Sequence, residues 1–392
     1  MAKKTKRTDI PFAQKLVLNA YMLDQIGFQD FESVAKLLSD AREGWDENQI
    51  SYFYKRLADS EQFENSGLNK DILLAYDMNI TKHTKAMQGK RKDVIKWKYF
   101  QYLCLLFVEI YLDKFFNNKE DFLNELNHFK AGSLNFIDIP DYTLADLSKI
   151  AIWNATGSGK TLLMHMNILQ YRYYMEKYKK TGSLNKILLI TPNEGLSKQH
   201  LSNFNLSRIS AEIFDKKAGQ LFSSNTVEII EISKLKEEGK EKTVSVDSFE
   251  NNNLVLIDEV HKGTQGNEWK EKRDRLSTEG FAFEYSATLG QAVKAANKEN
   301  IESEYAKATI FDYSYKWFYG DGYGKDYKIL NLADDSVELT RKKYLTGCLL
   351  SYFQQLKVWE ENKSEIAAFN IEKPLWIFVG GTVTAVRTEN KR

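Results

Sequence analysis

The chain has 392 residues, with 55 basic and 54 acidic side chains. That length is enough for two or three domains that each bury a core, which excludes a peptide or a tail, and the near-zero charge says nothing for or against a polyanionic partner beyond a local basic groove. The two cysteines, Cys104 and Cys348, lie in apolar helical patterns without metal-ligand spacing, which excludes a disulfide framework and predicts reduced core thiols in a cytoplasmic protein.

Met1 to Arg7 is a basic run and reads as a solvated N-terminus, with no apolar segment behind it that would make a secretory signal. From Phe12 to about Lys130 apolar residues recur at helical spacing, as in Phe31, Val34, Ala35, Leu37 and Leu38, and predict an all-helical region. Its most apolar part, Tyr99 to Leu112, is too short to cross a bilayer and carries Gln101 and Glu109, so it reads as a buried helix, and no membrane partner is expected. A turn-rich stretch, Ala131 to Asp141, follows.

Beyond Pro140 short apolar runs alternate with helix-length segments: Ile150 to Trp153, Ile187 to Ile190, Val227 to Ile232, Leu254 to Ile257 and Phe281 to Tyr285. This pattern predicts an α/β fold with a parallel sheet covered by helices on both faces, whose ligand sits at the carboxyl ends of the strands. Phe311 to Tyr327 is aromatic and Gly-rich with no obvious chemistry, and reads as an exposed loop or a brace. A helix is predicted over about Thr340 to Asn362 and a strand over Leu375 to Val379, opening into Gly380, Gly381 and Thr382. An α/β unit that has just begun should continue, so the sequence is expected to be the front of something longer. The predicted division is a helical region over 1–130, an α/β domain over 131–330, and a connecting helix with the start of a second domain over 331–392.

The most specific motif is Asn154 to Thr161, reading Asn-Ala-Thr-Gly-Ser-Gly-Lys-Thr between an apolar strand and a helix. Small residues at Gly157, Ser158 and Gly159 let successive N–H groups turn toward one anion, and Thr156 belongs to the same cradle. Lys160 supplies a mobile charge for β- and γ-phosphates and Thr161 a hydroxyl for Mg²⁺, so the chain is expected to bind a nucleoside triphosphate. Asn154 departs from the pattern, which has glycine there.

Leu254 to Ile257 ends in Asp258 and Glu259. Hydrolysis of a triphosphate needs one carboxylate to hold Mg²⁺, usually through water, and one to position or deprotonate the attacking water; Asp258 is assigned the first role and Glu259 the second. This requires Lys160 and Thr161 to face the acidic pair from an adjoining strand tip. His261 is either a lone solvent-facing histidine or a link across the cleft, and Ser286 and Thr288 close the strand beside Asp258. Thr191, Pro192 and Asn193 open a helix bearing Lys198, Gln199 and His200, as either a phosphate-backbone contact or a normal cap.

In this order, phosphate loop, Thr-Pro-Asn, Asp-Glu-Val-His, Ser-Ala-Thr, the motifs resemble those of superfamily-two DEAD/DEAH helicases and translocases. Asn253 to Gly263 and Gly280 to Gly290 look like the helicase (Res) subunit of type III restriction enzymes and related defence helicases, with a looser likeness through Trp376 to Thr382. The resemblance implies a RecA-like P-loop NTPase domain that uses ATP and Mg²⁺ and moves on DNA, RNA not being excluded, with a methyltransferase or nuclease subunit as partner. It suggests that Gln101 reads adenine, the alternative being a solvent-facing residue on an apolar helix. It assigns His261, Ser286 and Thr288 to coupling, and Thr191, Pro192 and Asn193 to nucleic acid. The arginines that a second lobe donates to the γ-phosphate have no counterpart before Arg392, so a module that holds ATP and DNA but hydrolyses little is the rival expectation. A small GTPase would need a guanine-reading Asn-Lys-x-Asp beyond the phosphate loop, where the sequence has none, and a kinase an acceptor pocket.

Overall fold

The structure, a computed structural model, describes residues 10–214, 225–235, 249–258, 267–325, 337–367 and 371–377. Two compact units divide the chain, Met1–Gly324 and Lys325–Arg392. In the first, the helices α1 (Val17–Gln25), α2 (Phe31–Ser39), α3 (Tyr52–Ala58), α4 (Glu61–Glu64), α5 (Lys70–Gln88), α6 (Tyr99–Asn117) and α7 (Lys119–Ala131) come first. Short polar side chains start several of them: Asp30, Ser51, Asn69 and Asn118 each accept a backbone N–H of the helix they precede.

The α/β part follows as β1 (Lys149–Asn154), α8 (Lys160–Lys177), β2 (Ile187–Thr191), α9 (Glu194–Leu206), β3 (Ala211–Ile213), β4 (Val227–Glu231), β5 (Leu254–Asp258), α10 (Asn267–Leu276), β6 (Phe281–Ser286), α11 (Leu289–Ala296), α12 (Glu299–Ala308), β7 (Thr309–Tyr313) and α13 (Tyr315–Gly320). The strands form one sheet in the order β3-β4-β2-β5-β6-β1-β7, and every pairing in it is parallel. Both faces are covered, which is why the strands read as mostly apolar runs without a polar face. Ile150, Ile152, Ile187, Leu189, Leu254 and Leu256 join the core that contains α6 and α8. Ala151, Trp153, Leu188, Ile190, Val255 and Ile257 join the opposite core, with Leu276 of α10, Leu289 and Val293 of α11, and Ile301 and Tyr305 of α12. The unit is an α/β fold of the RecA-like P-loop type preceded by helices, as the sequence predicts.

Helix α6 lies against α8 on the sheet, and from Tyr102 to Leu112 every residue of it is buried. A helix apolar all round is a helix buried all round. Its one acid there, Glu109, accepts from Asn79, Gln170 and Tyr174. Helices α1 and α2 lock onto the sheet edge: Phe31 packs edge-on against Phe311 and Tyr313 of β7, and Asn19 donates to the Ile310 carbonyl at 3.0 Å. Among the described residues no helix is long and apolar enough to cross a membrane.

Three expectations are corrected. Phe311 to Tyr327 is not a loop at its start: Thr309–Tyr313 is the buried edge strand β7, paired to β1. Strand β3 also went unpredicted. Leu375 to Ile377, the described part of the expected last strand, belongs to no ladder, and Leu375 and Ile377 are exposed; Gly380, Gly381 and Thr382 lie outside the described residues, as does the basic run at Met1 to Arg7. The second unit carries α14 (Glu338–Glu361) and α15 (Lys363–Ile366), close to the predicted helix. Cys104 is buried in α6 and Cys348 half-buried in α14, both as free thiols.

Candidate functional site

The loop after β1 is held from both ends. Ala155 N–H donates to the Tyr313 carbonyl of β7 at 2.9 Å, and Ser158 N–H to the Ala155 carbonyl at 3.2 Å. Gly157 and Gly159 have φ of +90° and +91°, the left-handed region where a side chain would be strained. Gly159 has a second constraint: a Cβ there would come within 2.4 Å of the Gln101 amide nitrogen. Thr156 and Gly157 are exposed, and Lys160 and Thr161 are half-buried at the start of α8, so the positive end of an 18-residue helix opens onto the loop. The Lys160 ammonium donates to the Asn154 carbonyl at 3.3 Å.

Gln101 is not solvent-facing. Its side chain accepts from Lys98 N–H at 2.9 Å and donates to the Ser158 carbonyl at 2.8 Å, tying the start of α6 to the loop. Asn154, at the position where the pattern has glycine, is fully buried, and neither its amide nitrogen nor its amide oxygen has a hydrogen-bond partner; the buried Ser158 hydroxyl has none either.

Asp258 ends β5. Lys160 and Asp258 do not follow adjoining strands, because β6 lies between β1 and β5. The register fixes the offset: Tyr285 of β6 is level with both Ile152 of β1 and Asp258 of β5. Two strand spacings put Asp258 about 10 Å across the sheet from Ile152, one residue pair below the loop. The loop and the carboxylate therefore stand at the same edge of the sheet with one strand tip between them. That tip is Ser286, which is buried and accepts Thr288 N–H on its hydroxyl at 3.2 Å. Thr288 is half-buried and starts α11, and the Trp153 indole donates to the Ala287 carbonyl at 3.2 Å, pinning this turn to β1.

One contact at this edge had no signal in the sequence. His200 of α9 is buried, and its Nε2 lies 3.0 Å from Asp258 Oδ2. Thr191, expected at a nucleic-acid surface, turns inward instead: its buried hydroxyl lies 2.6 Å from Ser197 Oγ and 3.4 Å from the Ile230 carbonyl. Of the three residues expected there, Pro192 is half-buried and Asn193 exposed, and Asn193 caps α9 by accepting Leu196 N–H at 3.0 Å. Glu259 and His261 lie outside the described residues.

Among the described residues no group of three or more His, Cys, Asp or Glu side chains is placed to hold a metal ion. The donors at this edge suit Mg²⁺, which is bound through one carboxylate, substrate phosphates and water rather than an all-protein cage.

Residues 116–291 match the family model of the type III restriction enzyme, res subunit. The match runs from the end of α6 through the loop and Asp258 to the start of α11, and over that stretch the chain resembles that Res subunit. Two solved structures are similar. The SWI2/SNF2 ATPase core of Sulfolobus solfataricus in complex with dsDNA is 16% identical, with 41% of this chain and 30% of that chain covered and a TM-score of 0.28. The UvsW helicase from bacteriophage T4 is 16% identical, with 48% and 71% covered and a TM-score of 0.31. This chain thus spans under a third of the first structure's length. No curated protein matches it.

Proposed function

We propose that the chain is an ATP-hydrolysing motor that moves on DNA, of the restriction-modification or phage-defence type. The observation that carries this reading is the placement of the phosphate loop and Asp258 at one sheet edge with the Ser286 tip between them. A triphosphate laid from Thr156 to Thr161 toward β5 would meet loop N–H groups, the α8 terminus and then Asp258. Lys160 would leave the Asn154 carbonyl for the β- and γ-phosphates. Thr161 and Asp258 would hold Mg²⁺, Asp258 through water. Bound there, the ion would neutralise charge on the phosphate oxygens.

Glu259 follows Asp258 directly in the chain and is proposed to orient the attacking water and accept its proton. Ser286, Thr288 and His261 are proposed to couple this edge to movement. With the Thr191 hydroxyl buried, a nucleic-acid backbone would be met by Pro192, Asn193 and the main chain around them. The division into 1–130, 131–330 and 331–392 is retained as part of this proposal, as is a methyltransferase or nuclease subunit as partner.

The test is ATP turnover by the purified chain with double-stranded DNA, single-stranded DNA or RNA. The motor reading expects turnover that rises with DNA and disappears in Glu259→Gln. ATP binding without turnover on any nucleic acid would replace it with the binding-module reading for this chain, and stimulation by RNA alone would correct the partner.

A further inference from the structure

The aromatic stretch after β7 has no part in the chemistry above, yet it stands against the phosphate loop. A Cβ built on Gly157 would lie 3.4 Å from the Phe318 ring, so Phe318 of α13 is in contact range of the loop itself. The half-buried Phe318 ring is 5.6 Å from the Tyr323 ring and 6.3 Å from the Tyr313 ring. Tyr315, Tyr319 and Tyr323 around it are 43%, 49% and 43% exposed.

This patch is anchored. Tyr99 and Tyr313 both donate to the Asp321 carboxylate, Tyr323 N–H closes the turn onto the Phe318 carbonyl at 3.1 Å, and Phe100 stacks flat on Tyr313 at 3.8 Å and 6°. The Lys98 ammonium lies 5.9 Å from the centre of the Tyr323 ring, and the backbone of Lys98 is tied through Gln101 to Ser158 of the loop. The start of α6 therefore braces the loop and the aromatic patch together.

Sheet order gives the patch a direction. Strand β7 flanks β1 on one side, while β6 and then β5 lie on the other. A triphosphate in the loop whose γ end points toward Asp258 sends its α end, sugar and base the opposite way, toward β7 and α13. What arrives there is a flat aromatic ring, and what waits is a set of aromatic side chains held in place.

We infer that Phe318, flanked by Tyr323, is the stacking platform for the purine base of the nucleotide whose phosphates occupy the loop. The inference rests on the nucleotide reading of the loop and adds the site of its base. Base-on-aromatic stacking removed by alanine is worth roughly five- to a hundredfold in affinity, so the contact should set the preference for a whole nucleotide over its phosphates.

The test is calorimetric titration of the purified chain with ATP and with inorganic tripolyphosphate, which has the phosphates and no base. Phe318→Ala should weaken ATP about tenfold while tripolyphosphate changes less than about twofold, Phe318→Tyr should restore ATP, and Lys160→Ala should weaken both ligands. If Phe318→Ala leaves ATP affinity unchanged, or weakens both ligands equally, the platform is overturned, even with the loop intact. If Lys160→Ala affects neither ligand, the nucleotide reading fails instead. Should Phe318→Ala melt early, Phe318→Leu and the wild-type ratio of ATP to tripolyphosphate affinity decide: a ratio near one overturns the platform, and a ratio that collapses in Phe318→Leu supports it. Single-stranded DNA affinity that falls in Phe318→Ala while ATP affinity holds would assign the platform to nucleic acid and overturn the inference.

Discussion

His200 Nε2 lies 3.0 Å from Asp258 Oδ2, with both side chains almost closed to solvent. Helix α9, which opens at Thr191, Pro192 and Asn193, is thus fastened directly to the proposed metal-holding carboxylate. His200→Ala should leave the carboxylate without its orienting partner, and losing such an outer partner costs about 10–100-fold in metal affinity. Titrating Mg²⁺ into the chain with a fluorescent ATP analogue should show the Mg²⁺ requirement rising by that order, with His200→Gln in between. An unchanged requirement in both variants would reduce the contact to packing.

Gln101 poses a choice that one pair of ligands resolves. Its two hydrogen bonds, to Lys98 N–H and the Ser158 carbonyl, hold the loop whether or not it also reads a base. Gln101→Ala removes about 1 kcal/mol of such bonding, or roughly fivefold in affinity. If Gln101 only positions the loop, ATP and tripolyphosphate should weaken alike; a loss confined to ATP would give it the base-reading role. Gly159→Ala, which forces both strain and a clash with the same amide, should exceed it for both ligands.

Burial pushes the Glu109 carboxyl from its ordinary 4.5 up to about 7, despite the donors around it. The folded chain holds a proton there that the unfolded chain has released, so stability falls as pH rises from 4.5 toward 7 and the loss is complete above that. Glu109→Gln has no such charge to bury. Asn79, whose amide oxygen has no partner, can turn over to accept the new amide. Melting curves between about pH 5 and pH 8 should show the wild type losing stability relative to Glu109→Gln as pH rises; a constant difference would contradict this.

Arg273 and Glu284 form a buried ion pair at 3.2 Å, and Tyr305 donates to the other carboxylate oxygen at 2.8 Å. Removing one partner strands the other charge, at a cost of about 3 kcal/mol for Arg273→Met, the low end of the usual range because Lys149 also attracts Glu284. Arg273→Met with Glu284→Leu should regain most of that loss in a denaturant titration. A double variant less stable than the single one would show that the charges themselves hold this face together.

What the sequence made legible was what chain proximity encodes. Asn154 to Thr161 carries its own strand, loop and helix signals, the strands ending at Thr191 and Asp258 are continuous apolar runs, and the strand ending at Ser286 is apolar but for Glu284. Strand β7 hid because its short apolar run sits at the start of a wider aromatic and Gly-rich stretch with no turn signal to bound it. Strand order was not legible either: nothing in one sequence says that β6 inserts between β1 and β5. The His200 contact joins residues 58 apart in the chain, on a helix and a strand whose adjacency only the sheet creates. Thr191 shows the reverse case, a hydroxyl whose residue type suits a phosphate but whose side chain the fold consumes internally.

The most direct test of the central claim, that Lys160 and Asp258 serve one triphosphate, is a double-mutant cycle on ATP affinity in the presence of Mg²⁺. Lys160→Ala and Asp258→Asn should each weaken binding by at least about tenfold, and the pair together by clearly less than the product of the two losses, because groups that share a ligand are coupled. Losses that multiply without coupling, or no loss from Asp258→Asn, would mean that the loop and the carboxylate do not meet on the same nucleotide.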